Sequence, residues 1–383
     1  MEKSVVSRLA PELFNQALFD IHTVEGKGYV IEYDGTLSIT ISSFVEKSFM
    51  HGAVLGDFFS SLVVIPGGIQ GGSVPIKAKA TGRTIGYLFS VEGLSDTNAE
   101  FNTYEAGYAK AAIEHVLFDG IGHKAVEISE DRISEQELSF DDLFVSDQLE
   151  GGEKAIAVTS LALCPDSQSV LISLARHGAR FYELDDVHYG PDLFPEIQSL
   201  SIKEIPQHLG EKRSSIFFLL HMAGEQPDPF SKFISLYQII EILISFIFKS
   251  ELDEFVKNAS DFDAWTSKEK LQELTGEKNR IKTLYSRYFD RSHIESDEFS
   301  ECARLSKEFI QEFIENDFSK ADWPSCIYKV RNCIVHDRAS LVIRQEKDPK
   351  IISGMNEIAS YFLKCCVSLL YGLRKEARKD ESL

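Results

Sequence analysis

The spacing of apolar residues changes near Pro206, and this change constrains the fold more than any other feature of the chain. Before it, short apolar segments alternate with polar residues, which is typical of β-strands. After it, apolar residues recur at helical spacing over long stretches, which is typical of amphipathic helices. The sequence therefore predicts an α+β protein: a mixed, mainly antiparallel β domain with a helix over 1–205, then an all-α helical bundle over 206–383.

The first part contains several strand-like segments. Alternation over 24–46, with Asp34-Gly35 inside it, predicts a β-hairpin. The stretch between Pro66 and Pro75 is rich in glycine but lacks a following Gly-Lys-Ser/Thr, so we expect a flexible connection and not a phosphate-binding loop. Further strands are predicted at Ser61–Ile65, Thr84–Val91, Ala155–Leu163, Ser169–Leu174 and Gly178–Leu184, and a helix at Asn102–Leu117.

The second part is predicted to be helical throughout. The apolar run Phe233–Phe248, with Glu241 in its middle, indicates a buried helix and not a membrane span. Asp322-Trp323-Pro324 predicts a helix start, because proline is favoured in the first turn. Helices are predicted at 211–223, Phe230–Phe255, 261–290, 296–315, from about 323, and at about 351–378, with a break over 225–229.

One of these helices carries three side chains suited to phosphodiester chemistry. Arg331, Asn332 and His336 occur within six residues. A guanidinium can hold phosphate oxygens, and an imidazole can give or take a proton near neutral pH. An RNA 2′-hydroxyl that attacks its neighbouring phosphate needs both groups. Arg-Asn-x-x-x-His is expected by chance only about 0.01 times in a chain of this composition.

The segment resembles the signature of the HEPN superfamily, which is Arg, a polar residue, three variable residues and His. The helix around Tyr237 and Glu241 is similar to the first long helix of ApeA-like HEPN domains. The resemblance covers roughly the last 160 residues. It implies a metal-independent endoribonuclease that needs no cofactor and leaves 2′,3′-cyclic phosphate and 5′-hydroxyl ends. Arg331, Asn332 and His336 would be catalytic, and Tyr237 and Glu241 supporting.

The resemblance also implies a homodimer through the C-terminal bundle, whose two motifs line one groove, and a regulated toxin of antiphage defence or abortive infection. In that context the first domain is expected to sense a trigger, either phage-derived or a nucleotide. Some HEPN domains have no catalysis. The alternative is therefore a non-catalytic RNA-binding or dimerisation module whose main role lies in the N-terminal domain.

Helix geometry places the three motif residues differently. At 100° per residue, Arg331 and His336 point about 140° apart, whereas Asn332 and His336 lie one turn apart on the same face. Asn332 is thus expected to orient the imidazole or to close a dimer site, and Arg331 to reach round the helix or to act across an interface. A purely structural explanation also exists, in which Arg331 forms a surface salt bridge and His336 caps a helix end beside Asp337.

A second segment, 277–293, interleaves basic residues with Tyr285, Tyr288 and Phe289. Bases stack on aromatic rings while cations follow phosphates, so the segment is a candidate RNA contact. An amphipathic helix with its aromatic residues in the core explains the same spacing more simply. The candidate RNA-binding residues are Lys278, Arg280, Lys282, Arg287, Lys329 and Arg338.

Charge and cysteine content support this division of roles. The net charge is −20, but residues 1–200 hold 13 Lys and Arg against 30 Asp and Glu, whereas 201–383 hold 27 against 30. Nucleic-acid binding is therefore expected only in the second part. The acidic part is most simply a solvated surface; alternatively it competes for the basic groove.

The six cysteines show no zinc spacing, which predicts reduced thiols and no metal site. No signal sequence is apparent in the first 20 residues, so a cytoplasmic protein without a membrane is predicted.

Overall fold

The computed structural model describes residues 19–24, 28–33, 37–43, 57–97, 99–119, 137–144, 152–164, 166–181, 196–294, 297–313, 321–345 and 350–377. The chain divides into two compact units, Met1–Lys203 and Glu204–Leu383. The boundary expected from sequence, between 205 and 206, lies two residues further on. Strands occupy the first unit and helices the second, which confirms the predicted α+β class.

The described strands of the first unit form two sheets. One has the order β1-β2-β3-β7 and the other β10-β5-β6-β8-β4-β9. All pairings are antiparallel except β3 with β7 and β5 with β10, so the sheets are mainly antiparallel, as predicted. The strands are β1 Phe19–Val24, β2 Gly28–Tyr33, β3 Leu37–Ser42, β4 Phe58–Ile65, β5 Ser73–Ala78, β6 Thr84–Ser90, β7 Glu137–Ser139, β8 Glu153–Ser160, β9 Arg180–Phe181 and β10 Leu200–Ile202.

Three α-helices accompany these strands in the described residues: α1 Val91–Ser95, α2 Thr103–Glu114 and α3 Ser167–Arg176. The predicted start of α2 is confirmed, because the Asn102 side chain accepts hydrogen bonds from the backbone N–H groups of Tyr104 and Glu105. A π-helical turn, His115–Asp119, continues it. The core of this unit lies between α2 and the larger sheet, where Ala109, Phe89 and Ile156 are fully buried.

Two predictions for this unit are wrong. Ser169–Leu174 is not a strand but lies within α3, where Ser173 Oγ donates to the Ser169 carbonyl at 2.8 Å. The stretch between Pro66 and Pro75 is not a loose connection. It includes the start of β5, and the backbone N–H of Ile69 donates to Glu153 Oε2 at 2.6 Å while the Ile69 side chain is buried.

Two other predictions fall partly on residues that the structure does not describe. Strands β2 and β3 pair as the expected hairpin, but its turn at Asp34-Gly35 lies outside the described residues. Of the strand predicted at Gly178–Leu184, Arg180–Phe181 is present as β9, and 182–184 lie outside the description.

The second unit is a helical bundle. Its described α-helices are α4 Lys212–Glu225, α5 Pro229–Asn258, α6 Ala264–Thr275, α7 Glu277–Thr283, α8 Glu298–Phe313, α9 Trp323–Gln345 and α10 Lys350–Gly372. The predicted starts of the long helix and of the motif helix are confirmed. The single helix predicted over 261–290 is instead divided at Gly276, where α6 ends and α7 begins, and α7 runs into a π-helical turn, Leu284–Tyr288.

Helices α5 and α10 form the centre of this unit. Asp228 caps α5 by accepting from the N–H groups of Phe230 and Ser231, and Pro229 occupies its first turn. The rings of Phe233 on α5 and Phe362 on α10 stack at 4.7 Å. The stretch Pro229–Asp261 is long and apolar enough to cross a bilayer by length and composition alone, and half of its most apolar window is buried in the unit. Helix α9 packs against α5, α7, α8 and α10, which brings the motif beside α5.

Candidate functional site

The Arg-Asn-x-x-x-His motif lies on α9, at the edge between its buried and exposed faces. Cys333 and Ile334 are buried, whereas Arg331 and Asn332 are half-buried and His336 is exposed. Helical spacing explains this distribution, because the apolar residues of α9 face the bundle and the intervening positions turn outward. The motif is therefore anchored by the core and open to solvent on its polar side.

Arg331 is surrounded by four side chains, and we call these five residues the Arg331 cluster: Tyr237, Glu241, Glu277, Arg331 and Asn332. Arg331 Nη2 lies 3.8 Å from Glu241 Oε1, and Arg331 Nε lies 4.0 Å from Glu277 Oε1. Nη1 donates to Asn332 Oδ1 at 3.1 Å. The guanidinium also lies over the Tyr237 ring, 5.6 Å from its centroid. The structure thus brings together four of the five residues predicted for the site.

Glu277 is the residue of the cluster that sequence reasoning missed. It begins α7, and its Oε1 accepts a hydrogen bond from the Tyr237 hydroxyl at 2.6 Å. It is separated from Tyr237 by 40 positions, so no local spacing could have associated the two. The one available signal was its position at the head of the basic segment 277–293, opposite in charge to the residues that follow.

The electrostatics of the cluster raise the pKa values of Glu241 and Tyr237. Burial raises the pKa of the Glu241 carboxyl, and the neighbouring Glu277 raises it further, while Arg331 lowers it. Burial and the hydrogen bond to Glu277 raise the pKa of Tyr237 far above its usual range, which keeps its hydroxyl a neutral donor. Two carboxylates share one guanidinium, so the cluster carries an excess of negative charge when both are ionised.

Arg331 keeps most of its hydrogen-bonding capacity. A guanidinium has five N–H donors. Within the described part of the chain, Arg331 donates one hydrogen bond, to Asn332, because both carboxylates lie beyond hydrogen-bond distance. The remaining donors are oriented by the Tyr237 ring and by the carboxylates without being consumed by them. A guanidinium with two such donors can bind a bidentate anion such as a phosphate.

Among the described residues no hydrogen bond joins Asn332 to His336. The side-chain oxygen of Asn332 accepts from Arg331 and not from the imidazole that it was expected to orient. Among the described residues no hydrogen bond or ion pair involves His336, and the adjacent Val335 is 48% exposed. The side chain of Asp337, the residue suggested to accompany a capping His336, lies outside the described residues. In the described residues His336 is therefore not joined to the Arg331 cluster by a hydrogen bond or an ion pair.

In the candidate RNA-contact segment 277–293, the aromatic rings and Arg287 contact other side chains of the helical unit. Tyr288 and Phe289 are buried, and Tyr285 packs against Trp323 at 5.4 Å, so these rings are not free to stack on bases. Arg287 is bound to Glu251 at 2.7 Å and to Glu254 at 3.3 Å.

The other basic candidates differ in their surroundings. Lys282 Nζ lies 3.6 Å from Asp322 Oδ2, and Arg280 lies over the Phe248 ring. Lys278 is exposed and Lys329 is half-buried. The side chain of Arg338 lies outside the described residues.

In the described residues no group of three or more His, Cys, Asp or Glu side chains is arranged to hold a metal ion. No family model matches the chain, and neither a curated protein nor a solved structure is significantly similar to it. The site is therefore interpreted from its own chemistry.

Proposed function

We propose that the protein is a metal-independent endoribonuclease of the HEPN type, with Arg331 and His336 as its reacting groups. The observation that carries this proposal is the arrangement on α9 of a guanidinium with free donors and, five residues later, an exposed imidazole. In the first step His336 removes the proton from an RNA 2′-hydroxyl, whose oxygen attacks the adjacent phosphorus. The bond from phosphorus to the 5′-oxygen then breaks, the leaving oxygen takes a proton from water, and the His336 imidazolium returns its proton to solvent, giving a 2′,3′-cyclic phosphate and a 5′-hydroxyl.

Arg331 would stabilise the charge that develops on the phosphate during this step. A phosphorane-like transition state carries more negative charge on its non-bridging oxygens than the ground state, so a fixed cation stabilises the transition state more strongly. Asn332 holds one Nη group in place through the 3.1 Å hydrogen bond, and Tyr237 supports the plane of the guanidinium. These contacts lower the entropy lost when the guanidinium binds a phosphate.

Two copies of the chain are needed in this account. Arg331 and His336 diverge by about 140° on one helix. Arg331 is turned toward α5 and α7, while His336 lies in solvent beside the exposed Val335. We therefore propose that α9 pairs with α9 of a second copy, so that Arg331 of one chain and His336 of the other act on the same phosphate. The exposed valine supplies apolar area for this contact.

The HEPN resemblance also implies how the activity is regulated and what it serves in the cell. An unregulated ribonuclease would be toxic to its own cell, so the first unit would restrain or release the activity in response to a phage-derived or nucleotide trigger. The protein would then act in the cytoplasm as a toxin in antiphage defence. The support for this extension is the HEPN-like motif together with the strongly acidic composition of residues 1–200.

A second candidate function is a non-catalytic RNA-binding or dimerisation module. The observation that favours it is the presence of both Glu241 and Glu277 around Arg331. Two carboxylates beside one guanidinium oppose the approach of a phosphate when both are ionised. In this account Arg331 serves to hold α9 against α5 and α7.

Incubation of the purified full-length protein with total RNA in the presence of EDTA distinguishes the two functions. The nuclease proposal expects fragments with cyclic phosphate ends that resist ligation until the ring is opened. RNA binding without cleavage supports the second function. Cleavage that requires a divalent ion and leaves 5′-phosphate ends contradicts the proposed mechanism even if the helical bundle is correct.

A further inference from the structure

A cavity of about 420 Å³ lies in the helical unit, between the C-terminal half of α5, helices α6 and α7, and the π-helical turn after α7. This volume falls in the range of about 300–1,000 Å³ that is typical of small-molecule sites. The cavity does not include Arg331, Asn332 or His336. It is therefore a separate feature from the proposed active site.

Three phenylalanine rings form its apolar part: Phe248, Phe255 and Phe262. Each is only half-buried, although phenylalanine in a folded domain is usually well buried. The rings of Phe255 and Phe262 stack with centroids 6.1 Å apart and planes inclined by 24°. The exposed parts of these half-buried rings supply apolar surface beside the cations.

Two cations that line the same cavity are Lys270 and Arg280, the second of which also interacts electrostatically with Glu241 outside the cavity lining. Lys270 Nζ lies 3.6 Å from the centroid of the Phe262 ring, and Arg280 lies over Phe248 at 5.6 Å. In the described part of the chain neither side chain forms an ion pair, and Arg280 Nε is buried without a hydrogen-bond acceptor. A buried donor without an acceptor costs free energy, which an anionic ligand would recover.

The acidic residues of the cavity do not neutralise these cations. Glu251 and Glu254 are both bound to the Nη groups of Arg287, whose Nε is buried without an acceptor in the described residues, as that of Arg280 is. The remaining acid, Glu273, is exposed. The cavity thus combines partly exposed aromatic rings with two cations that form no direct ion pair among the described residues, in a chain whose net charge is −20.

We propose that this cavity binds a small organic anion with a planar aromatic body, with its ring against the phenylalanine faces and its anionic group between Lys270 and Arg280. A purely apolar ligand would leave Arg280 Nε unsatisfied. A small inorganic anion would leave the phenylalanine faces in water. The combination of ring and charge satisfies both parts of the cavity. The anionic group is either a carboxylate or a phosphate ester, because a guanidinium binds both in the same bidentate geometry.

Isothermal titration of the full-length protein tests this proposal with four probes: 2-naphthoate, 2-naphthyl phosphate, naphthalene-2-carboxamide and acetate. We expect one site for at least one of the two aromatic anions. Binding of the neutral carboxamide should be at least tenfold weaker, and acetate should show none. The tighter of the two anions identifies whether the site takes a carboxylate or a phosphate ester.

Variants of the protein assign the binding to this cavity. Lys270→Gln and Arg280→Gln should each weaken the aromatic anion at least tenfold. Lys268→Gln removes the same charge two residues away, over the exposed Trp265 and outside the cavity lining, and should leave the affinity unchanged. Because Lys270 is exposed, its replacement should not disturb folding. The proposal is overturned if neither anion binds, if the carboxamide binds equally well, or if Lys268→Gln matches Lys270→Gln.

Discussion

Two arginines of the helical unit meet carboxylates of α5 in different ways. Arg287 donates to Glu251 at 2.7 Å and to Glu254 at 3.3 Å, and Glu251 also accepts from the buried Tyr288 hydroxyl at 2.7 Å. Arg331 lies 3.8 Å from Glu241 and 4.0 Å from a glutamate of α7, with no hydrogen bond to either. The first arginine donates hydrogen bonds to both of its acids, while the second lies beside two acids in the described residues without donating to either.

This difference separates a structural ion pair from a group available to a ligand. A hydrogen-bonded ion pair with a buried partner contributes to stability chiefly because removal of one member leaves the other unsatisfied. A loosely held cation contributes little to stability but can exchange its partners for a phosphate. We therefore expect substitution of Arg331 to lower activity with little change in stability. Substitution in the pair between Arg287 and Glu251 should lower stability instead.

The largest expected effect is on RNA cleavage. His336→Ala should lower the cleavage rate by about 10²- to 10⁴-fold, because it removes the proton-transfer group. Arg331→Ala should lower it by at least about 10²-fold, because it removes the cation at the phosphate. Initial rates on a labelled RNA measure both effects.

Arg304→Ala is the matched control, since Arg304 lies on α8, is exposed and is bound to Glu301 and Glu308. It should cleave at the parent rate. Equal rates for parent, Arg331→Ala and His336→Ala would remove the assignment of α9 as the catalytic helix.

Substitution in the ion pair between Arg287 and Glu251 should instead lower the free energy of unfolding. Glu251→Ala leaves the Tyr288 hydroxyl, which is 1% exposed, without its acceptor and deprives Arg287 of its shorter hydrogen bond. We expect a loss of about 3 kcal/mol in the free energy of unfolding, measured by urea denaturation. Glu301→Ala breaks an exposed pair and should cost less than about 1 kcal/mol. A similar cost for both variants would show that the Arg287 pairs are not structural.

The predicted dimer depends on the exposed face of α9. Val335→Asp places a charge beside His336 on a residue that is 48% exposed, so folding of the chain should be preserved. We expect dimer affinity to fall at least tenfold in sedimentation velocity, and cleavage to fall with it. Val256→Asp introduces the same change at another exposed valine, on α5, and should have no effect. If Val335→Asp remains fully dimeric and active, the interface lies elsewhere.

The smallest expected effect is a change in the pH dependence of stability when Glu241 is replaced. Its pKa is raised by burial and by Glu277, so its ionised form is disfavoured in the folded state. The folded state is therefore relatively more stable at low pH, and this contribution is lost as the pH rises through the raised pKa of Glu241. Glu241→Gln should raise the free energy of unfolding by a few tenths of a kcal/mol at pH 7, and the gain should vanish at a pH where the parent carboxyl is protonated.

Urea titrations of parent and variant at several pH values measure this difference. Glu273→Gln, at an exposed position of α6, serves as the control and should leave the pH dependence of stability as it is. A variant that is less stable than the parent at pH 7 would mean that the ion pair with Arg331 outweighs the burial of Glu241.

Sequence patterns predicted most of the helical unit because its signals are local. Proline in the first turn marked the start of α9, the break over 225–229 preceded α5, and apolar periodicity marked α10. The errors arose where a pattern fits two structures. The apolar run of α3 is short enough for a strand, and only tertiary packing decides between strand and helix. Strand β5 contains Pro75, a residue that is usually confined to edge strands, yet β5 pairs on both sides.

The candidate site shows the same difference between residues with local sequence signals and residues placed by tertiary packing. Arg331, Asn332 and His336 were found through their spacing, and Tyr237 with Glu241 through the resemblance of their helix to the first long helix of ApeA-like HEPN domains. Glu277 could not be found in this way, because its role depends on how α7 packs beside α5 and α9. The hydrogen bond from Arg331 to Asn332 likewise reflects a choice of rotamer that spacing does not determine.

A mixing experiment tests the central claim that Arg331 of one copy and His336 of another act together on one phosphate. Arg331→Ala and His336→Ala are purified separately, mixed, allowed to exchange subunits, and assayed for RNA cleavage with EDTA present. Each variant alone should be inactive. Random exchange makes about half of the dimers mixed, each with one complete site, so the mixture should recover about a quarter of the parent activity. A mixture as inactive as the separate variants, under conditions where the parent cleaves and exchange is verified, would contradict the account.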